Sequence, residues 1–553
     1  MGRGVKRTLD VNVIKVRKSN PKSNMKTRIP MIIAPALLAL STLNPQLSTC
    51  FAQGSLTPPG APAPTMKTLD QIEARTPVDA THTPGDAGDL FVISQPGSYY
   101  LTGNITVSSG NAISINTNGV TLDLNGFTIS TATSGLGFPG YAILLIGNEA
   151  SGVIGNTDIT ISNGHITGGV TYSAGNYNGT GFYNGISYNV TAGKPYNIRV
   201  SGVSVSGCSE SGISLGILNS TVVESCTVKT VGGDGIVGSS VSHSTAYQCG
   251  HAAILADTAS DCYGYSTGGE GMDVSYAANN CYGDSDTDNG IYVDAGNANN
   301  CYGNSNGSGY GLYAGGNAKN CYGNSDSGAG LYAGSADNCY GTSASGDGID
   351  IENFSSGGNA NNCSGSSSGG GYGIYVENGN AMNSVGVSAS GIGLDAAFNA
   401  ENCYGNSGSG TGLYAGWNAE NCNGNSAGNG DGLDANAATG CSGVSAGSGF
   451  GLNVTVANNC AGSSGSGPGI YAVRNATGCA GQSGSSTGLI APSGANNCFG
   501  TSLSGTGLDA TGGIAIGCIG SSSGGTGLIA KIANSCAGSG SPPYSVTHPY
   551  NMP

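Results

Sequence analysis

The stretch Asn317-Ala-Lys-Asn-Cys-Tyr-Gly-Asn-Ser-Asp-Ser-Gly-Ala-Gly-Leu-Tyr-Ala333 decides how the chain folds, because its pattern returns throughout the second half of the sequence. Its cysteine belongs to a run of 15 anchors: Cys262, Cys281, Cys301, Cys321, Cys339, Cys363, Ser384 in place of cysteine, Cys403, Cys422, Cys441, Cys460, Cys479, Cys498, Cys518 and Cys536. The mean step is about 19.6 residues, and only the step of 24 before Cys363 leaves the range 18 to 21, which marks an inserted loop. A repeat of this size holds two or three short strands and their turns, too few to bury a core alone, so successive repeats must stack.

The columns of such a stack can be read directly. Ten coils place Asn just before the anchor (Asn280, Asn300, Asn320, Asn338, Asn362, Asn383, Asn402, Asn421, Asn459, Asn497) and three place Gly there (Gly440, Gly478, Gly517). Asn and Gly share tolerance of the left-handed backbone region, so the column predicts a turn of that kind, and stacked Asn side chains can bond along the axis. The anchor and the Leu or Ile of the following strand face inward, their neighbours outward. The cysteines beyond Cys50 raise the question of disulfides, with metal ligation as a further alternative. In-register parallel neighbours hold their Cβ atoms about 4.8 Å apart, however, whereas a disulfide needs about 3.8 Å. A ladder of inert, buried thiols is therefore expected. Cys208 and Cys249 sit five residues after the anchor-equivalent Val203 and Ser244, two coils apart and too distant to bridge.

Upstream, runs such as Ala112-Ile-Ser-Ile, Val120-Thr-Leu-Asp-Leu-Asn-Gly-Phe-Thr-Ile-Ser and Ile198-Arg-Val-Ser-Gly-Val-Ser-Val alternate apolar and polar residues, which is strand patterning. The chain divides into a signal segment (1–52, with a start at Met25 as an alternative), a Pro/Thr-rich linker (53–88), irregular coils (89–261), regular coils (262–540) and a tail (541–553). The apolar run Ile29 to Leu40 is too short to span a bilayer, and no later segment reaches that length, so no transmembrane segment is expected. Export to the medium or cell surface is the expectation, with lipidation at Cys50 as a less favoured variant. With 100 glycines and 9% charged residues, the 553-residue chain does not resemble a set of ordinary globular domains. Nine of the 17 basic residues lie between Arg3 and Arg28, leaving 8 against 31 acidic residues from Gln53 onward, a net of −23. So acidic a body argues against nucleic acid as a partner.

The outward column after each Leu or Ile is the leading functional candidate. It reads Asp273, Tyr292, Tyr313, Tyr332, Asp350, Tyr375, Asp395, Tyr414, Asp434, Asn453, Tyr471, Ile490, Asp509 and Ile529. Tyr beside carboxylates suits sugar rings, whereas cross-strand stacking of exposed Tyr is the simpler structural explanation. A second outward column carries Tyr263, Tyr282, Tyr302, Tyr322, Tyr340 and Tyr404. Asp284, Asp286 and Asp288, alternating before Gly290, echo the start of a calcium loop, although Ala295 stands where its bidentate Glu belongs.

The Val120-Thr-Leu-Asp-Leu-Asn-Gly-Phe-Thr-Ile run, the opening Pro96-Gly-Ser-Tyr-Tyr-Leu-Thr-Gly-Asn strand and the later Asn turns resemble bacterial right-handed parallel β-helix proteins of the pectin-lyase-like superfold, over residues 89 to 540. The implied class is all-β, a single-stranded right-handed parallel β-helix with roughly 20 or more coils. That fold hosts lyases, glycosidases, adhesins and non-catalytic proteins. Its lyases pair calcium-binding acids with a basic residue, but Lys194, Arg199, Lys229, Lys319, Arg474 and Lys531 are scattered here. A glycosidase needs clustered carboxylates, for which Asp347 with Asp350, Asp431 with Asp434, and Glu270 with Asp273 are the closest in sequence. Asn156-Thr-Asp158 resembles a polygalacturonase motif but lacks its companions, and His243 and His251 are candidate bases near one coil edge. The favoured expectation is a non-catalytic exported protein binding polysaccharide or a cell-surface partner through the Tyr/Asp face. A carbohydrate-active enzyme and a structural rod are the alternatives.

Overall fold

Residues 74–131, 140–147, 154–189, 193–352 and 357–552 are described by a computed structural model. The signal segment, Cys50 and the linker up to residue 73 lie outside the described residues. The body is an all-β parallel solenoid of about 24 turns. Apart from the hairpin Thr171–Ser173 with Asn176–Asn178, each named strand pairs in parallel with its counterparts in adjacent coils.

The coil around Cys321 shows how the repeat is built. Three flat faces alternate inward and outward residues. On the first, Tyr322–Ser325, Tyr and Asn point out while Gly323 and Ser325 point in. On the second, Leu331 and Ala333 are buried on either side of outward Tyr332. The third, exemplified by Asn317 and Lys319 around inward Ala318, completes the triangle. We call these the glycine, leucine and alanine faces. Leu331 pairs with Leu312 and Ile349, Ala318 with Ala298 and Ala336, and Gly323 with Gly303 and Gly341, so each inward residue rests on its own kind. The interior is thin. A Cβ on Gly323 would run into the carbonyl oxygen of Gly330, which is why that column stays glycine.

Two of the three corners are each closed by a small inward polar side chain. At the corner between the alanine and glycine faces, all thirteen Asn and Gly residues of the predicted turn column have φ between 50° and 65°. Asn300, Asn320 and Asn338 each donate an amide hydrogen to the Asn one coil back, at 3.0–3.1 Å. The anchor thiols behind them are buried and free of disulfides throughout the described residues. They are more than filler. Cys301 Sγ donates to the Asn299 carbonyl (3.2 Å), and Cys422 N donates to Cys441 Sγ (3.4 Å). Ser384 and Ser244, the two serines of the column, repeat both bonds: Ser384 Oγ donates to Met382 O (2.8 Å) and accepts from Cys363 N (3.1 Å), and Ser244 does likewise with Ser242 O and Cys226 N. At the corner between the glycine and leucine faces, a serine ladder does comparable work. Ser285 Oγ donates to Gly269 O (2.7 Å) and accepts from Asp288 N (2.8 Å).

The boundaries drawn from composition shift at both ends. Thr76–Pro77, placed in the linker, pairs in parallel with Tyr99 and Tyr100, and Arg75 is clasped by Asp123 at 2.7 Å. Tyr544–Tyr550, placed in the tail, lies in register on Leu528–Asn534. Both segments are Pro-rich, and an edge strand tolerates the missing N–H that argues against a central one. The extra residues before Cys363 fall between Ile351 and Asn359, where the leucine face bends into the alanine face.

Two expectations follow. The seventeen described thiols should resist a bulky thiol reagent in the native protein and all react after denaturation; native labelling of the anchor cysteines would contradict the buried ladder. Asn320→Ala, which puts a Cβ-bearing residue without a side-chain partner at φ 52°, should destabilise its coil by about 2 kcal/mol, while Asn320→Gly should cost about half as much. Native-state hydrogen exchange of the flanking coils reads the difference, and equal losses would refute the conformational argument.

Candidate functional site

The Tyr/Asp column occupies one unbroken register line on the leucine face, from Asp273 through Tyr292, Tyr313, Tyr332, Asp350, Tyr375, Asp395, Tyr414 and Asp434 to Asn453, Tyr471, Ile490, Asp509 and Ile529. Register stacking sets its geometry. Tyr292, Tyr313 and Tyr332 stack with centroids 4.6 and 4.7 Å apart, the coil repeat itself. Neighbours at the serine corner add to the aromatic row: Tyr310 contacts Tyr313 and Tyr332, Tyr372 stacks on Tyr375 at 5.0 Å, and Phe450 on Tyr471 at 5.2 Å. The second Tyr column, Tyr263 to Tyr340 on the glycine face, stacks in the same way at 4.7–5.2 Å, whereas Tyr404 stands between Val385 and Asn423. Ring faces within these stacks are therefore covered by other rings. What projects outward is ring edge and hydroxyl.

The aspartates that interrupt the column are unusual. Asp350 lies between Tyr332 and Tyr375, one coil to either side. Burial against these rings, reinforced by the charges of Asp347, Glu352 and Glu377, pushes its carboxyl up to about 8. Asp350 Oδ1 and Glu377 Oε2 are buried without a hydrogen-bond partner, while Tyr332 donates its hydroxyl to Glu352 at 2.9 Å. Burial also pushes Asp395, between Tyr375 and Tyr414, up to about 6. Asp273 and Asp434 reach about 6 through burial, assisted by Glu270 and Asp431 respectively. The ion pairs found among the described residues, such as Arg199 with Glu224 and Lys319 with Asp337, lie elsewhere.

The carboxylate pairs considered for glycosidase chemistry divide into different jobs. Asp347 accepts the backbone N–H of Tyr372 (2.6 Å) and Asp431 that of Phe450 (2.7 Å), each tying its turn to the next coil. Their partners Asp350 and Asp434 remain in the outward column. Asp158 of the Asn156-Thr-Asp158 triplet takes positive φ and accepts the amide of Asn197 (2.6 Å), a ladder role. His243 and His251 do not share an edge. His243 occupies the Asn turn column with φ 48°, 3.7 Å from Asp261, whereas His251 lies at the serine corner, where its carbonyl receives Ser266.

The calcium loop expected at Asp284, Asp286 and Asp288 does not assemble. Asp284 accepts the Asn304 amide (2.8 Å), Asp286 the Tyr265 hydroxyl (2.8 Å), and Asp288 the Asn289 N–H (2.9 Å). Among the described residues no group of three or more His, Cys, Asp or Glu side chains could hold a metal ion. Only Asp284 lies in the strand Tyr282–Ser285, while Asp286 and Asp288 follow in the serine corner, so the three carboxylates go to separate partners where a calcium loop would curl them around one point.

One feature of the alanine face escaped sequence reasoning. Asn297, Asn317, Asn359, Asn380, Asn399 and Asn418 form a third amide line, broken by Ser335, beside two contiguous grooves of ≈ 460 and ≈ 450 Å³. The signal was present as the recurring Asn-Ala pair two residues before each turn. No family model, curated protein or solved structure matches the chain.

The raised aspartates give stability a definite pH dependence. A carboxyl whose folded value lies above its unfolded value of about 3.9 favours folding most when protonated, so Asp350 contributes fully below about pH 4 and that contribution is lost as pH rises toward 8. The melting temperature of the native protein should fall across this window. Asp350→Asn should flatten the fall and melt higher than the parent at pH 8; a steeper or unchanged slope would show that Asp350 is not the buried acid described.

Proposed function

We propose that the chain is an exported, non-catalytic β-helix of the pectin-lyase-like kind that binds polysaccharide or a cell-surface partner through the Tyr/Asp line of its leucine face. The observation that supports this most is the alternation in that line. Self-stacking accounts for the tyrosines, but it does not call for desolvated aspartates between them, which destabilise the folded chain above their raised pKa values. A row of hydroxyls with interspersed carboxyls at the coil repeat suits a polymer that presents hydroxyl groups at regular intervals. The apolar run near the N-terminus, outside the described residues, supports export. The acidic body supports a neutral or cationic partner.

A second reading, a purely structural rod, is favoured by the stacked rings, because aromatic ladders stabilise a solenoid without any ligand. A glycan array probed with the full chain, with and without calcium, separates the two. Binding should be retained without calcium and should fall about tenfold in a Tyr313→Ala, Asp350→Asn double variant. An array that stays blank would leave the structural rod as the better account.

A further inference from the structure

We propose that the groove on the alanine face, over the coils from Asn359 to Glu420, is a separate binding site for an extended, neutral polysaccharide chain of equatorially linked sugars running along the solenoid axis. It is independent of the Tyr/Asp line and uses different chemistry.

The two walls of the groove carry complementary groups over its last two coils, Asn361 and Met382 preceding them on the second wall. Along one wall, each Asn carbonyl oxygen is saturated by the next coil: Asn359 Oδ1 accepts both the backbone N–H (3.2 Å) and the amide N–H (3.1 Å) of Asn380. Asn380 Oδ1 does the same for Asn399, at 3.3 and 2.8 Å, and Asn418 continues the line onto Asn399 at 3.0 Å. An amide has two N–H donors, so each of these side chains keeps one for a ligand. The ladder thus presents donors at the coil repeat. Along the other wall, Glu401 pairs in register with Glu420, both exposed and outside any ion pair found among the described residues. These are acceptors. Between the walls, Ala381, Ala400 and Ala419 point inward, so the groove floor is backbone.

A sugar chain matches this arrangement because each hydroxyl both donates and accepts, and each unit of an extended chain advances by a length close to one coil. An anionic chain does not match, since Glu401 and Glu420 face it. An aromatic pair flanks the Asn wall at its last two coils. Trp417 directly precedes Asn418, stacks on Phe398 with centroids 4.6 Å apart, and remains 56% exposed. One indole face is covered by Phe398, leaving the rest available to a sugar ring. Unlike the tyrosines, this ring is not enclosed within a longer stack.

Trp417 is the only tryptophan in the sequence, so its emission reports on this edge of the groove. The full chain is titrated with cellohexaose and with chitohexaose, exciting at the red edge where tyrosine does not absorb. A saturable change in emission with at least one of the two neutral oligosaccharides is expected, and none with a polygalacturonate oligomer. Calorimetry on Trp417→Ala and on Asn399→Ala should show affinity about tenfold weaker, while Tyr313→Ala should bind as the parent does. Silence from both neutral probes, or a response to the anionic oligomer alone, overturns the proposal. Binding lost in Tyr313→Ala but kept in Trp417→Ala also overturns it and leaves the Tyr/Asp face as the site; the reverse pattern establishes the groove, whatever the glycan array shows for the Tyr/Asp line.

Discussion

Every level of this structure depends on one constraint: parallel in-register stacking places each residue directly over its counterpart one coil away, about 4.8 Å along the axis. Faces and most corner residues satisfy their backbone N–H groups through bonds between coils, as Asn320 does with Asp337 O and Tyr322 with Cys301 O, whereas the anchor N–H turns to a side chain. The cysteine and serine columns answer that need. A thiol donates to the carbonyl two residues back and accepts the N–H of the anchor one coil earlier, so it satisfies a turn while remaining apolar enough to pack beside Ala and Leu. Ser384 makes the same bonds more tightly, which shows that the column is selected for hydrogen bonding as well as for size. The absence of disulfides among the described residues has the same origin, because the stacking distance that permits the ladder is too long for an S–S bridge.

The constraint also decides what the outer surface can do. A tyrosine over a tyrosine stacks whether or not a ligand exists, and in doing so covers the ring faces that would otherwise receive a sugar. An aspartate between tyrosines is the opposite case. The rings beside Asp350 and Asp395 withdraw water, and among the described residues no basic side chain pairs with either, so the acids are held well above the usual carboxylate range. Repetition therefore makes ordinary surface residues into lines of one chemistry, and a break in a line carries more information than the line itself.

Much of the architecture was legible because stacking turns structure into period. The spacing of Cys262 through Cys536 located the coils, the exchange of Asn with Gly located the left-handed turn, and alternation put Cys and Leu inside. What escaped was whatever does not announce itself by residue type. Ser285 and Ser305 look like ordinary loop serines, and nothing in their identity distinguishes an inward hydroxyl capping a corner from one in solvent. Proline at 77 and 549 argued for linker and tail because the rule against proline in strands says nothing about edges. The acidic triplet at Asp284 matched a loop pattern, but one carboxylate sits on a strand and two at a corner, each committed to a different partner. His243 and His251 are eight residues apart, but a coil turns a corner in that length.

Stability and recognition can be separated on these terms. The inward columns and the Asn turn repeat in almost every coil, as a stack in which each repeat contacts only its neighbours requires. Asn399 beside Glu401 on the alanine face, the exposed Trp417 on Phe398, and the aspartates at 350 and 395 repeat over a few coils or not at all. Nothing in the stacking demands them. A buried unpaired carboxylate oxygen and a half-exposed indole are each unfavourable in a chain whose only task is to stack, since Asn, Ser or Thr at the same positions would cost less. Residues that the repeat does not explain and that the fold would be better without are where the proposed contacts with a partner are placed. In this chain they concentrate in the regular coils between Asp273 and Asp434, on the two faces that meet where the leucine strand bends toward alanine.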